Sequence, residues 1–543
     1  MNLEGMRFRM IMTGVMAIAA VTSCHADPPK GFEEFRRGLL DNFNSFKSRI
    51  LEHYNDFLAG EWHEYESLEA DMRYTQPKPE SMPSAVEIVA EEATDQQKEM
   101  LFSLGFSNPD FKAGLNPEDR RKTPESLEWL RNAVALYKAS TPADSVKTDG
   151  NVEKVSRGDI MTCEGLVEDY DGEIFNFYGM KFALPRFDFS IRDSISQTVD
   201  YANQWTELSD ADVASEVAPA LANLQKVSGL SDYLLFEMMM AWLDQKFPQA
   251  NDASKMSAAH YLLANMGFGV RIAMDKEGTP FMLLPFDEQV YGRAYFKMAK
   301  NYYVFSMPGK EQVKSIGLRT PQLPNNADLG KSLNLRMDGL TLPFKPYHYF
   351  FKYGNLKIEG DMNENVIPML YRYPQMATGG FAASMISPEV REDVVRQIKR
   401  QLGDMDPLQA ADKLLAMIQF GFPYATDDNF HGFEKPYFFE EILYYPKSDC
   451  EDRAVFYSYL VWNAFGIETD LIAYPYHEAT AIRADNVWGG DAHYTEGDKK
   501  FYISDPTFVG APTGQCMPQF MEVKPTIDLR YTKVADMDTI QSE

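Results

Sequence analysis

The sequence predicts a multidomain α+β protein. The chain has 543 residues, and single hydrophobic cores stop growing near ~250–300 residues, so two to four domains are expected. Apolar residues make up 45% and aromatic residues 13%, enough for several cores. Stretches with apolar spacing of three and four alternate with short aromatic and β-branched runs bounded by Gly, Pro and Asn, so both helices and strands are expected.

The N-terminus reads as an export signal. Arg7 and Arg9 precede a largely apolar run from Met10 to Val21, too short to span a bilayer, which needs about 20 residues. Val21-Thr22-Ser23-Cys24 resembles the lipobox of bacterial lipoproteins, with Cys24 as the lipidated residue. Ordinary secretory cleavage after Ala26 is the alternative. The expected location is the periplasm or outer envelope, with any membrane contact through this anchor alone. The 53 basic and 80 acidic residues give a net charge of −27. Such a surface repels nucleic acid and anionic membrane, because no basic cluster releases counterions. No Gly-rich phosphate loop is present, so no nucleotide cofactor is expected. Beyond Cys24 the cysteines are Cys163, Cys450 and Cys516, too few for a disulfide framework, so at least one thiol stays free.

Residues 27–145 form a helical region, led by Phe32, Phe35, Leu39, Phe43, Phe46, Ile50, Tyr54 and Phe57 at helical spacing. Residues 150–310 open with a hairpin turning at Asp171-Gly172 and continue as helices over 193–266. Strands follow at 269–274, 280–285 and 301–305. Residues 316–385 alternate short apolar runs with Pro, Asn and Gly and form a β-rich linker domain. Residues 386–520 hold helices at 387–403 and 406–420, an aromatic loop over 420–441, and the segment that carries chemistry. Residues 521–543 form a polar tail.

That segment runs from Lys447 to Pro506. Ser448-Asp449-Cys450-Glu451 has the capping-box form Ser-x-x-Glu, and Gly466 sits where the following helix stops. Cys450 therefore opens a helix, where the dipole and unpaired N–H groups favour a thiolate, the nucleophilic form of cysteine. Asp452 is read as a first-turn helix charge. A strand at 467–473 leads to His477 and a strand at 479–483. A polar loop then leads to a strand at 500–504, closed by Asp505-Pro506. A meander of these strands under the helix brings Cys450, His477 and Asp505 to one end. There Cys450 attacks, His477 accepts and returns the proton, and Asp505 fixes the imidazole. His493, in the polar loop, is the competing histidine. Tyr444 and Tyr445 are candidate oxyanion donors beside the Cys450 N–H. No paired ligand spacing points to a metal.

The segments SDCEDRAVFYSYLVWNAFGIE, YPYHEATAI and KFYISDPTFVGAPTG resemble the transglutaminase-like superfamily, in particular its exported bacterial members. The resemblance covers roughly 400–515. It implies a papain-like core, a helix packed on an antiparallel sheet. It also implies Cys450 as nucleophile, His477 as base and Asp505 as orienting acid, acting on the amide bonds of a protein or peptide through an acyl-enzyme. Hydrolysis is favoured over cross-linking on family analogy. Residues 254–308 can be laid on 451–507, with Gly269 against Gly466, Ser306 against Asp505 and Ala253 against Cys450. The first copy would be a degenerate domain without the triad. The rival functions are a non-catalytic envelope binding or scaffold protein, and a glycan-handling factor using the aromatic loop 420–440 as a groove.

Overall fold

The computed structural model describes residues 54–72, 114–115, 158–298, 300–308, 313, 315–321 and 330–532. The expected export segment with Cys24, most of the 27–145 helical region and the end of the tail lie outside the described residues.

The first layer begins with residues 54–59, which are helical, and strand β1 (Trp62–Glu66) follows. A small sheet comes next: β2 (Ile160–Thr162), β3 (Gly165–Val167), β4 (Glu173–Phe177) and β5 (Met180–Leu184). Its hairpin turns at Tyr178-Gly179, not at the expected Asp171-Gly172, since Phe177 pairs with Met180. Both turn residues have positive φ, 50° and 81°, as a type I′ turn requires. Gly172 is demanded for another reason: a Cβ there would lie 2.4 Å from the Leu184 carbonyl oxygen.

Helices α1 (Thr198–Asp210), α2 (Val213–Ser228), α3 (Asp232–Lys246) and α4 (Asp252–Asn265) follow. Every residue of α4 from Ala253 to Leu263 is buried, as expected for a helix at the centre of a core. Against it lie β6 (Arg271–Met274), β7 (Pro280–Pro285), β8 (Tyr295–Lys297), β9 (Asn301–Phe305) and β10 (Gly317–Pro321). With β1 they form a sheet of order β1-β10-β6-β7-β9-β8. Residues 317–321 therefore belong to this sheet, and the β-rich linker contributes mainly the hairpin β11 (Pro346–Tyr353) and β12 (Leu356–Asn363).

The second layer is led by α5 (Val366–Tyr371), α6 (Thr378–Ala383), α7 (Pro388–Leu402), α8 (Pro407–Gly421), α9 (Asp427–Phe430) and α10 (Cys450–Phe465). Both α7 and α8 start with proline, whose fixed φ and missing N–H suit a first helical position. Strands β13 (Thr469–Tyr474), β14 (His477–Arg483), β15 (His493–Glu496), β16 (Lys499–Ser504) and β17 (Thr526–Tyr531) form an antiparallel sheet of order β15-β16-β14-β13-β17. Two of these strands depart from expectation. The polar loop contains β15, paired along β16, and the tail contains β17, paired along β13. Both are edge strands, where half the backbone faces water, and their polar side chains mask the strand signal.

After its central helix, each layer runs through five strands in the same spatial order: β10-β6-β7-β9-β8 in the first and β17-β13-β14-β16-β15 in the second. The equivalent positions differ in chemistry. Pro280 opens β7 as His477 opens β14, and Ser306 follows β9 as Asp505 follows β16. Counted from the N-caps Asn251 and Asp449, Asp252 rather than Ala253 stands at the place of Cys450. The start of α4 is also plugged by its own chain: Asn251 N donates to Asp193 O (2.8 Å), Asn251 Nδ2 to Ile195 O (3.0 Å), and Ser254 Oγ to Arg192 O.

Candidate active site

The second sheet carries its site at one end. Antiparallel pairing puts the end of β13, the start of β14 and the end of β16 side by side. Helix α10 packs on the face where Leu471 meets Ala454 and Val455, and where Ser504 Oγ meets the Tyr457 hydroxyl at 2.9 Å. Its first turn points to the end bearing His477 and Asp505, because Arg453 Nη1 donates to Pro506 O at 3.4 Å.

Cys450 is the first residue of α10, one position past its N-cap Asp449. The capping box is Asp449 with Asp452, not Ser448 with Glu451. The Asp449 side chain accepts from the Asp452 backbone N–H, and Asp452 Oδ2 accepts from Asp449 N at 3.0 Å. Asp452 Oδ1 accepts from Tyr437 N at 2.8 Å and so also fixes the preceding loop. Two buried ion pairs hold that loop down, Arg391–Glu440 and Lys435–Glu441, each at 2.7 Å.

The Cys450 thiol is 2% exposed and donates to Glu451 Oε2 at 3.2 Å. Arg453 is fully buried. Its Nε donates to Ser448 Oγ and its Nη2 to Phe422 O, in addition to the Pro506 bond. One guanidinium thus ties together three segments around the helix start. Burial lowers its pKa to about 10, against the raising influence of Tyr424, Asp449, Asp452 and Cys450. Its charge and the helix N-terminus favour a thiolate, whereas the Glu451 carboxylate opposes one.

His477 Nε2 and Asp505 Oδ2 are 2.8 Å apart, and both residues are buried. An ionised Asp505 accepts from Nε2–H, which leaves Nδ1 as the basic nitrogen. Asp505 Oδ1 accepts from Thr507 N at 2.8 Å. Gln419 on α8 fixes the loop that carries this aspartate: its Nε2 donates to Asp505 O (2.9 Å) and Ala511 O (3.0 Å), and Gly510 N donates to its Oε1 (3.0 Å). Two helical turns earlier, Asp412 accepts from Thr513 N (2.9 Å) and Trp488 Nε1 (2.7 Å). The imidazole lies on the sheet face away from α10, among Tyr474, Ala479, Phe501, Ile503 and Phe520.

The remaining sequence candidates have other surroundings. The Tyr444 hydroxyl donates to Glu364 Oε1 at 3.2 Å, with its ring against Tyr347. Tyr445 is packed among Phe430, His431 and Tyr437. His493 stands on β15, where its Nδ1 meets the Asp491 carbonyl oxygen at 2.7 Å. Most of the loop aromatics are packed inward, while Tyr424 and Phe433 are half-buried. Phe422 and Phe439 pack on Phe456 of α10, and Phe430, Tyr437 and Phe438 are buried.

Carboxylates gather at the helix start. Ligand atoms of Asp449, Cys450 and Glu451 lie within 4.8 Å of one another, as do those of Asp427, Asp449 and Asp452, and those of Asp427, Glu434 and Glu451. These are the groups a cation would meet. Asp449, Asp452 and Asp427 already accept backbone N–H groups.

Sequence reasoning missed Glu451, Arg453, Gln419, Asp412 and Phe520 as parts of the site. Arg453 stood in view, one turn after Cys450. Gln419, Asp412 and Phe520 act from separate elements and carry no local signal.

No family model, curated protein or solved structure matches the chain.

Proposed function

We propose that this protein is an exported, lipid-anchored, transglutaminase-like cysteine enzyme that hydrolyses amide bonds in proteins or peptides. In this reading α10 and the second sheet form a papain-like core. One observation supports it above the rest. A buried His–Asp pair with Nε2 on the carboxylate lies at the end of the sheet to which Arg453 ties the first turn of the cysteine helix.

The imidazole and the thiol rest on opposite sides of the sheet end, so the proposed reaction begins with a local opening that frees the thiol from Glu451 and brings it to His477 Nδ1. The proton passes there, and the sulfur attacks the carbonyl carbon of the amide. The tetrahedral oxyanion takes the Cys450 N–H at the helix start. The amide C–N bond breaks as the imidazolium returns the proton to the departing amine, leaving a thioester. Water then gives a proton to the imidazole and attacks the thioester, releasing a carboxylic acid and the thiol. An amine in place of water gives transamidation by the same steps.

The second reading is a binding or scaffold protein of the envelope. It draws on the buried thiol and its bond to the Glu451 carboxylate, a resting state that needs local opening before a substrate enters. The two separate on the pH dependence of iodoacetamide labelling, resolved by peptide mapping at Cys450. Rapid labelling near pH 6 that is lost in His477→Ala supports the enzyme. Slow labelling in both proteins, rising only above pH 8, supports the scaffold.

A further inference from the structure

The ring of His477 is held by more than Asp505. The residues after the Asp505 loop return across the outer face of the sheet, with Gly514 N on Ile503 O at 2.7 Å and Val523 N on Phe520 O at 3.0 Å. The turn at Pro518–Phe520 lays Phe520 flat on the imidazole, with ring centres 5.3 Å apart and planes 4° apart. Tyr474 backs the same stack, 4.7 Å and 16° from Phe520 and 6.4 Å and 12° from His477. The Tyr474 hydroxyl ends 3.9 Å from Cys516 Sγ. The titratable groups about this stack are thus Asp505, Tyr474 and Cys516. Burial pushes the Cys516 thiol up to about 11, so it stays neutral across the working range.

We propose that Phe520 is the positioning residue of His477, fixing the plane in which Nε2–H meets Asp505 so that Nδ1 keeps one direction. A carboxylate on one nitrogen leaves the imidazole free to swing about that bond. Two parallel rings remove this freedom, and an offset stack is a favourable arrangement for aromatic pairs. Phe520 is only half-buried and its neighbour Met521 is 70% exposed, so the position accepts substitution without opening a core. The catalytic consequence rests on the proposed proton-accepting role of His477; the ring placement does not.

The test uses the full chain with Phe520→Leu, which keeps apolar cover, and Phe520→Tyr, which keeps a flat ring. Carbon-13 relaxation at Cε1–H of His477 should give the same high order parameter in the wild type and in Phe520→Tyr, and a lower one in Phe520→Leu, where the ring can swing. Identical ring order parameters in all three proteins overturn the positioning role, whatever the thiol does. Iodoacetamide labelling of Cys450 at pH 6.5 should slow about tenfold in Phe520→Leu, part of the ~10²–10⁴ that a placed base contributes. Phe520→Tyr should restore it, and Phe520→Leu should add nothing in a His477→Ala background. An equal slowing in that background would mean that Phe520 governs access rather than the imidazole, and would overturn the proposal. Slow labelling in wild type and His477→Ala alike refutes the enzyme reading alone, because the ring order parameter still decides the placement.

Discussion

Replacing Asp412 by asparagine separates the charge of this carboxyl from its shape. Asp412 is buried on α8 and holds Thr513 N and Trp488 Nε1, the contacts that pin the loop behind Asp505. Burial raises its pKa from 3.8 to about 6, against the lowering effect of those donors. Between these two values the folded protein keeps a proton that the unfolded chain has released. The protons bound by the unfolded state minus those bound by the folded state is then negative, so stability falls as pH rises through this window. The whole fall amounts to about 3 kcal/mol at ~1.4 kcal/mol per pH unit. Asparagine mimics the protonated carboxyl and escapes it, at a fixed cost for whichever donor it no longer accepts. The assay is denaturant unfolding of wild type and Asp412→Asn from pH 4 to pH 7.5. Relative to wild type, the variant should gain about 3 kcal/mol across that range. A flat difference, or one that favours wild type as pH rises, refutes the reasoning.

Gln419→Leu strands Asp505 O, Ala511 O and Gly510 N inside the protein. It should cost about 3 kcal/mol or more, read by thermal unfolding. Asp505→Asn should leave the fold intact and slow Cys450 labelling at pH 6.5 by roughly 10²-fold or more, because the amide no longer selects the Nε2–H tautomer. A wild-type rate would remove Asp505 from the site. Arg453→Lys keeps the charge but cannot reach Ser448, Phe422 and Pro506 together. It should destabilise by about 2 kcal/mol while shifting the labelling midpoint less than Arg453→Gln. Tyr476 holds φ at +65° in the two-residue turn before His477. Tyr476→Gly should relieve strain and raise stability by about 1 kcal/mol, and a lower melting temperature would show that its side chain contributes more than the strain costs.

Much of the second layer was legible locally. The Cys450 helix ends at Gly466 with φ 69°, where a left-handed residue was needed. Strand β14 begins at His477 and β16 ends just before Asp505, because Pro475 and Pro506 break the ladder on either side. The mixed α+β class was also legible, from the alternation of helical and strand spacing. Edge strands were not. Thr526–Tyr531 reads as a polar tail until β13 supplies a partner, and His493–Glu496 reads as a loop until β16 does. The hairpin turn was misplaced for a related reason. Asp171-Gly172 carries the stronger turn composition, but the pairing of Phe177 with Met180 is decided by which faces reach the core.

The sequence by itself determined that Cys450, His477 and Asp505 stand at element ends. Caps, glycines and prolines act over four or five residues, so a helix start or strand end is written beside the residue it positions. Only the tertiary structure decided what surrounds them. The Glu451 carboxylate on the thiol, the Arg453 clamp, the Gln419 and Asp412 anchors and the Phe520 ring on His477 mostly come from segments tens of residues apart. Their meeting depends on how helices and sheet pack, and packing is a property of the whole core that no short window of sequence contains.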